Sequence, residues 1–282
     1  MKILCYINHF FGQNPFFQGK SSLPLDIPID ELERRAKRRK EHVDHVISSL
    51  KALEGAEVKV CGVSGFSVVP LDITFDEIKG NPLLLIYESL NHMANFVDQY
   101  DYFINIEDDV LLPGDTFQNI VRFDQRSLIN EVFLPNRMEK SPEGEQYCVD
   151  LKAIPGWTQQ RKAFENKQVR VALNAHSAVM ILSQAKFRYA LSFVDRNFRK
   201  PILHNELDSA FAYFHSPFAL YRSVELMDHH VVHLDRWMYS AGENNHESPW
   251  RYRFKSISAS DFVPPILTRT FEFLRRRLTA KK

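Results

Sequence analysis

Along the first hundred residues the hydrophobic positions switch between two periods. Lys2 to Phe10 is a short, mostly apolar run that predicts a buried first strand, and the Gly-, Asn- and Phe-rich residues 11 to 22 predict a loop after it. From Asp30 to Glu54, Leu32, Ala36, Val43, Ile47, Leu50 and Leu53 recur at helical spacing, and Gly55 ends the helix. Ala56 to Val63 alternates as a second strand, so the opening is a βαβ unit with parallel strands. Asn81 and Pro82 make a strong helix start, with Leu83, Ile86, Leu90 and Val97 on one face. Tyr102 to Ile106 then predicts a central strand that breaks into Glu107, Asp108 and Asp109 and is stopped by Pro113 and Gly114.

The second half is less regular. A short helix is expected from Asp115 to Phe123 and a strand from Glu131 to Pro135, followed by a long loop over residues 136–168 that lacks periodicity. Strands are expected at Val169 to Leu173 and Val179 to Leu182, around a turn of small residues that contains His176. A helix opens near His204 with Leu207, Ala210, Phe211 and Phe214 on its face, and Ala219 to Leu226 predicts a further strand. The order implies an α/β fold with a mostly parallel central sheet flanked by helices. We expect one domain over residues 1–262, divided into halves 1–113 and 114–262, and a basic amphipathic helix over 263–282. The stripe Leu267, Phe271, Leu274 and Leu278, ringed by Arg275, Arg276, Arg277, Lys281 and Lys282, suits an interfacial helix on an anionic membrane, with docking onto its own domain as the equal alternative.

The chemistry concentrates in three places. Three carboxylates at the end of a buried strand repel one another, and the arrangement is comfortable only when a cation shares it; hard oxygen ligands select Mg²⁺ or Mn²⁺. Glu206 and Asp208 fall in the first turn of the helix that follows Pro201, where the helix dipole alone would also favour them. His229, His230 and His233 lie within five residues, and in an extended segment His229 and His233 share a face, so either is a candidate metal ligand.

Glu107-x-Asp109 on an apolar strand resembles the Asp-x-Asp signature of glycosyltransferases of the GT-A fold. That resemblance implies a metal-bound nucleoside diphosphate sugar as donor. It implies Asp109 on Mn²⁺ or Mg²⁺, Glu107 and Asp108 on metal waters or ribose, and a C-terminal histidine, His233 or His229, on the same ion. It also implies that the loop after the first strand faces the nucleotide base, which makes Asn8, His9 and Phe11 candidates for that pocket. An acidic residue at a helix start would deprotonate the acceptor in an inverting reaction; Asp208 matches best, with Glu206 as fallback, although the family usually has two adjacent acids and Leu207 separates them here. Trp157 would suit stacking on a sugar ring, and Gly242 to His246 a loop closing over the diphosphate. The acceptor would be a glycan or a lipid-linked hydroxyl compound. A sugar nucleotidyltransferase, or a noncatalytic carbohydrate- or partner-binding protein on the same fold, are the alternatives.

Bulk properties narrow the class. With 36 basic and 35 acidic residues the formal net charge is +1, which gives no electrostatic footprint for nucleic acid. The run from Arg34 to Lys40 is a solvated helix face, a diphosphate contact or a lipid contact. Cys5, Cys61 and Cys148 are too far apart for a disulfide framework or a zinc motif and indicate a reducing compartment. No signal peptide or membrane-spanning stretch is evident, so a cytoplasmic protein is expected, peripheral to the inner membrane face if the tail engages lipid.

Overall fold

A computed structural model describes residues 1–141, 144–153, 156–176, 178–202 and 205–235. The expected helix over 263–282, the loop at Gly242 to His246, and His204 lie outside the described residues. Strand β1 (Ile3–Asn8) leads to helix α1 (Ile29–Lys51), β2 (Ala56–Gly62), the short β3 (Ile73–Thr74), α2 (Leu85–Met93) and β4 (Tyr102–Glu107). After β4 come β5 (Val110–Leu111), α3 (Gly114–Asp124), β6 (Glu131–Phe133), β7 (Asn136–Lys140), β8 (Gln146–Cys148) and α4 (Val149–Ala153). The chain continues through β9 (Trp157–Phe164), β10 (Lys167–Ala172), β11 (Val179–Ser183), α5 (Gln184–Leu191), α6 (Glu206–His215), β12 (Ala219–Ser223) and β13 (His230–His233).

The central sheet runs β11-β4-β1-β2-β3, with β1 parallel to β2 and β4, and β11 antiparallel to β4. Strand β1 is buried along its whole length because both faces are covered: Leu4 and Tyr6 join the core under α2, and Ile3, Cys5 and Ile7 join the core under α1. Helix α1 turns Val43, Val46 and Leu50 inward. The Asn81 side chain accepts from the Leu83 N–H, so the predicted cap forms and opens the turn that leads into α2. Cys5, Cys61 and Cys148 are buried free thiols.

The fold is α/β as expected, but the sheets are mixed where a mostly parallel arrangement was predicted. Two further four-stranded sheets, β6-β12-β10-β9 and β5-β13-β7-β8, combine parallel and antiparallel pairs. The reason is connection length. A parallel pair needs a crossover of about a dozen residues, whereas only two residues separate β9 from β10, and so they form an antiparallel hairpin. Much of the interval predicted as a loop, 136–168, is built structure. Its strand β9 is polar on both faces as an edge strand, and β7 buries charged residues, so neither shows the usual alternation.

Candidate active site

Because β1 and β4 are parallel and in register, with Asn8 beside Glu107, their carboxyl ends open on the same edge, where ligands bind in open α/β sheets. Asp108 and Asp109 form the turn from β4 to β5. Strand β13 pairs antiparallel with β5, His233 opposite Val110, and the Leu234 N–H donates to the Asp109 carbonyl at 2.7 Å. That pairing sets His233 against the carboxylates although more than a hundred residues separate them in sequence. Among the described residues, Glu107, Asp109 and His233 each offer a ligand atom, and these atoms lie within 4.8 Å of one another. The Nε2 of His233 is 3.6 Å from Asp109 Oδ1, while its Nδ1 bonds to Glu139.

Glu107 Oε1 and Asp109 Oδ1 are buried and have no hydrogen-bond partner among the described residues. Such oxygens are costly unless a cation or donor reaches them. Burial first, and then the Asp109 charge, push the Glu107 carboxyl up to about 8. Burial would also raise Asp109, but His233 and Arg39 outweigh it and hold Asp109 well below the usual carboxylate range. Burial opposes charging His233, yet Asp109 and Glu139 raise it to about 10.

Around this group lies a dense ionic shell. Arg39, turned inward from α1, donates to Asp108 Oδ1 at 2.7 Å and Asp109 Oδ2 at 3.0 Å through Nη1, and to Asp235 Oδ2 at 3.1 Å through Nη2. Arg137 on β7 donates to the fully buried Asp150 at 2.9 Å and lies within electrostatic reach of Glu107, Asp208 and Glu139. Arg222 lies 3.4 Å from the other oxygen of Asp150 and donates to the carbonyls of Pro135 and His176. Seven carboxylates thus face three guanidiniums and His233, leaving negative charge in excess.

Compared with known family models and with curated proteins, the chain matches none. The assignment of roles therefore rests on geometry.

Of the two acids at the start of α6, Asp208 points into the site, with its Oδ1 3.5 Å from His176 Nε2, and the Asn205 side chain caps its N–H. Glu206 is two residues away, about 200° round the helix, and lies within electrostatic reach of Tyr87. His229 lies apart from the carboxylates: its ring stacks on Phe133 at 3.6 Å, and its Nε2 bonds to the Phe133 carbonyl. The extended pattern did place it on the face of His233, but that face meets the phenylalanine core at one end and the site at the other.

His9 also departs from expectation. It is fully buried; its Nε2 accepts from the Val68 N–H at 3.1 Å, which puts the proton on Nδ1, and this proton is donated to Asp108 at 2.5 Å. His9 therefore orients Asp108, and with both ring nitrogens engaged it has none left to hydrogen-bond a nucleotide base. Asn8 donates to Asn105 and to the Ile106 carbonyl, and its own Oδ1 has no partner among the described residues. Phe11 is half-buried and bonds through its backbone to Phe66. Trp157 is half-buried at the start of β9, with the Arg170 guanidinium 5.8 Å from its ring centre.

Sequence patterns missed Arg137, Glu139, Asp150 and Arg222. A signal existed for the first two, since Arg137-x-Glu139 has the period of a strand and places both on one face of β7. In the basic run, Arg34 and Arg35 pair with Glu31 and Lys40 with Asp44 as a solvated face, while Arg39 alone of these turns into the site. No helix among the described residues is long and apolar enough to cross a membrane.

Proposed function

We propose that the protein is a metal-dependent glycosyltransferase that takes its sugar from a nucleoside diphosphate sugar. The observation that carries this reading is the pair of buried, unpartnered oxygens, Glu107 Oε1 and Asp109 Oδ1, beside His233 at the carboxyl edge of a parallel βαβ unit. Two carboxylates and an imidazole in a region of excess negative charge fit Mn²⁺ well and Mg²⁺ less well, because imidazole suits transition ions better. Bound there, the ion would offset the charge that develops on the departing diphosphate.

The chain's own residues supply the rest. Arg39 and His9 hold Asp108 and Asp109 in place. Asp208 takes the proton of the acceptor hydroxyl as its oxygen bonds to the anomeric carbon, and the bond from that carbon to the diphosphate oxygen breaks, inverting the centre. Asn8 Oδ1, a free acceptor at the end of β1, suits an N–H of the nucleotide base. The acceptor class, glycan or lipid-linked, follows from the resemblance to GT-A enzymes.

Thermal melting with UDP, GDP, CDP, dTDP and CMP, each with and without Mn²⁺, tests the reading. A stabilisation by one nucleotide that requires Mn²⁺ is expected. No Mn²⁺-dependent shift with any of them would refute it.

A further inference from the structure

His233 is the one nitrogen ligand of the group, and an imidazole can offer a metal only one nitrogen at a time. Which nitrogen it offers is decided by what the other one does. Here the Nδ1 side is closed. Glu139 on β7 is 2 % exposed; its Oε1 bonds to His233 Nδ1, and its Oε2 accepts from the Tyr147 hydroxyl at 2.6 Å. Strand β7 pairs with β13 on one side, His230 opposite Asn136, and with β8 on the other, Glu139 directly opposite Tyr147. All three side chains are thus set by strand register, which is stiffer than a loop. A carboxylate is an acceptor only, so the proton it meets is on Nδ1, and Nε2 is left facing Asp109 Oδ1 at 3.6 Å.

We infer that Glu139, steadied by Tyr147, is a positioning residue that fixes the ring and tautomer of His233 so that Nε2 is presented to a divalent ion together with Glu107 and Asp109. The inference rests on the metal reading above and adds to it a carboxylate that touches neither the ion nor substrate. It also explains why a second buried acid is kept beside a cluster that already has an excess of them. Outer carboxylates of this kind are worth about 10- to 100-fold in metal affinity.

Mn²⁺ binding by the purified full-length protein, followed through the electron paramagnetic resonance signal of the free ion, tests it with no need for a substrate. Glu139→Ala is expected to weaken Mn²⁺ binding by about 10- to 100-fold. Glu139→Gln, whose amide oxygen still accepts from Nδ1, should recover most of that loss, and Tyr147→Phe should cost less than Glu139→Ala. In a His233→Ala background, Glu139→Ala should add nothing, because its effect passes through His233. An equal loss in both backgrounds, or wild-type affinity in Glu139→Ala, overturns the positioning role while leaving the metal site standing. A wild-type protein that binds no Mn²⁺ overturns the metal reading and the positioning role together. If Glu139→Ala does not fold, Tyr147→Phe measured with and without His233→Ala gives the discrimination: a loss only where His233 is present supports the role, and an equal loss in both backgrounds, or none in either, overturns it.

Discussion

Glu107→Gln separates what the site costs from what it is for. In the metal-free protein the Glu107 carboxyl is raised to about 8, by burial first and by Asp109 second, whereas an ordinary glutamate sits at 4.5. The sign follows directly: between those values the native protein holds a proton that the unfolded chain has released, so stability falls as pH rises through that window. At about 1.4 kcal/mol per pH unit, the penalty relative to an ordinary glutamate reaches about 3 kcal/mol at pH 7. Glutamine has nearly the same shape and no charge to bury, so the variant should be more stable than wild type without metal, by up to that amount. Urea unfolding at pH 7 measures it, and the advantage should vanish as pH falls below 4.5, where both states of wild type carry the proton. Adding Mn²⁺ should reverse the order, stabilising wild type and leaving the variant unmoved. A variant that is less stable than wild type in the absence of metal, or that keeps the Mn²⁺ shift, would refute the reasoning.

Asp208→Asn should lower transfer by about 10²- to 10⁴-fold while keeping Mn²⁺-dependent nucleotide binding, and Glu206→Gln, about 200° round the helix from Asp208, should stay close to wild type; unchanged turnover in Asp208→Asn would remove it as the base. Burial pulls His176, His215 and His229 down to about 3, 4 and 3, so below pH 6.5 the unfolded chain takes up protons that the native protein refuses. In the Glu107→Gln background, which lacks the opposing Glu107 contribution, stability should therefore fall as pH drops from 6.5 toward 4, by at most about 1.4 kcal/mol per pH unit for each histidine, and urea midpoints that do not move between pH 7 and 5 would count against it.

The first half of the fold was legible because its elements are apolar in a simple period. Strand β1, the inward face of α1, β2, the Asn81 cap and the Glu107 to Asp109 break each carry their reason within a few neighbouring residues. The α6 start was legible for the same reason, through its acidic first turn and the apolar face of Leu207, Ala210, Phe211 and Phe214, while its Asn205 cap was not read. What stayed hidden were side chains whose burial makes sense only with a distant partner. Arg137 with Asp150, Arg222 with Asp150, and Glu139 with His233 look like surface residues when read locally, and they are inside because each neutralises another. Strand direction was hidden too, since it depends on which connections are hairpins.

The pairing of β13 with β5 spans only two residue pairs, Val232 with Leu111 and His233 with Val110. Side chains alternate along a strand, so a slip by one residue would turn His233 away and set an apolar side chain against Asp109. The three pairs that β13 makes with β7 set its frame, and the two with β5 add little to it by hydrogen bonds alone. An ion that needs the imidazole would then act as a proofreader of assembly, tightening only on chains whose late strand has docked in the right frame.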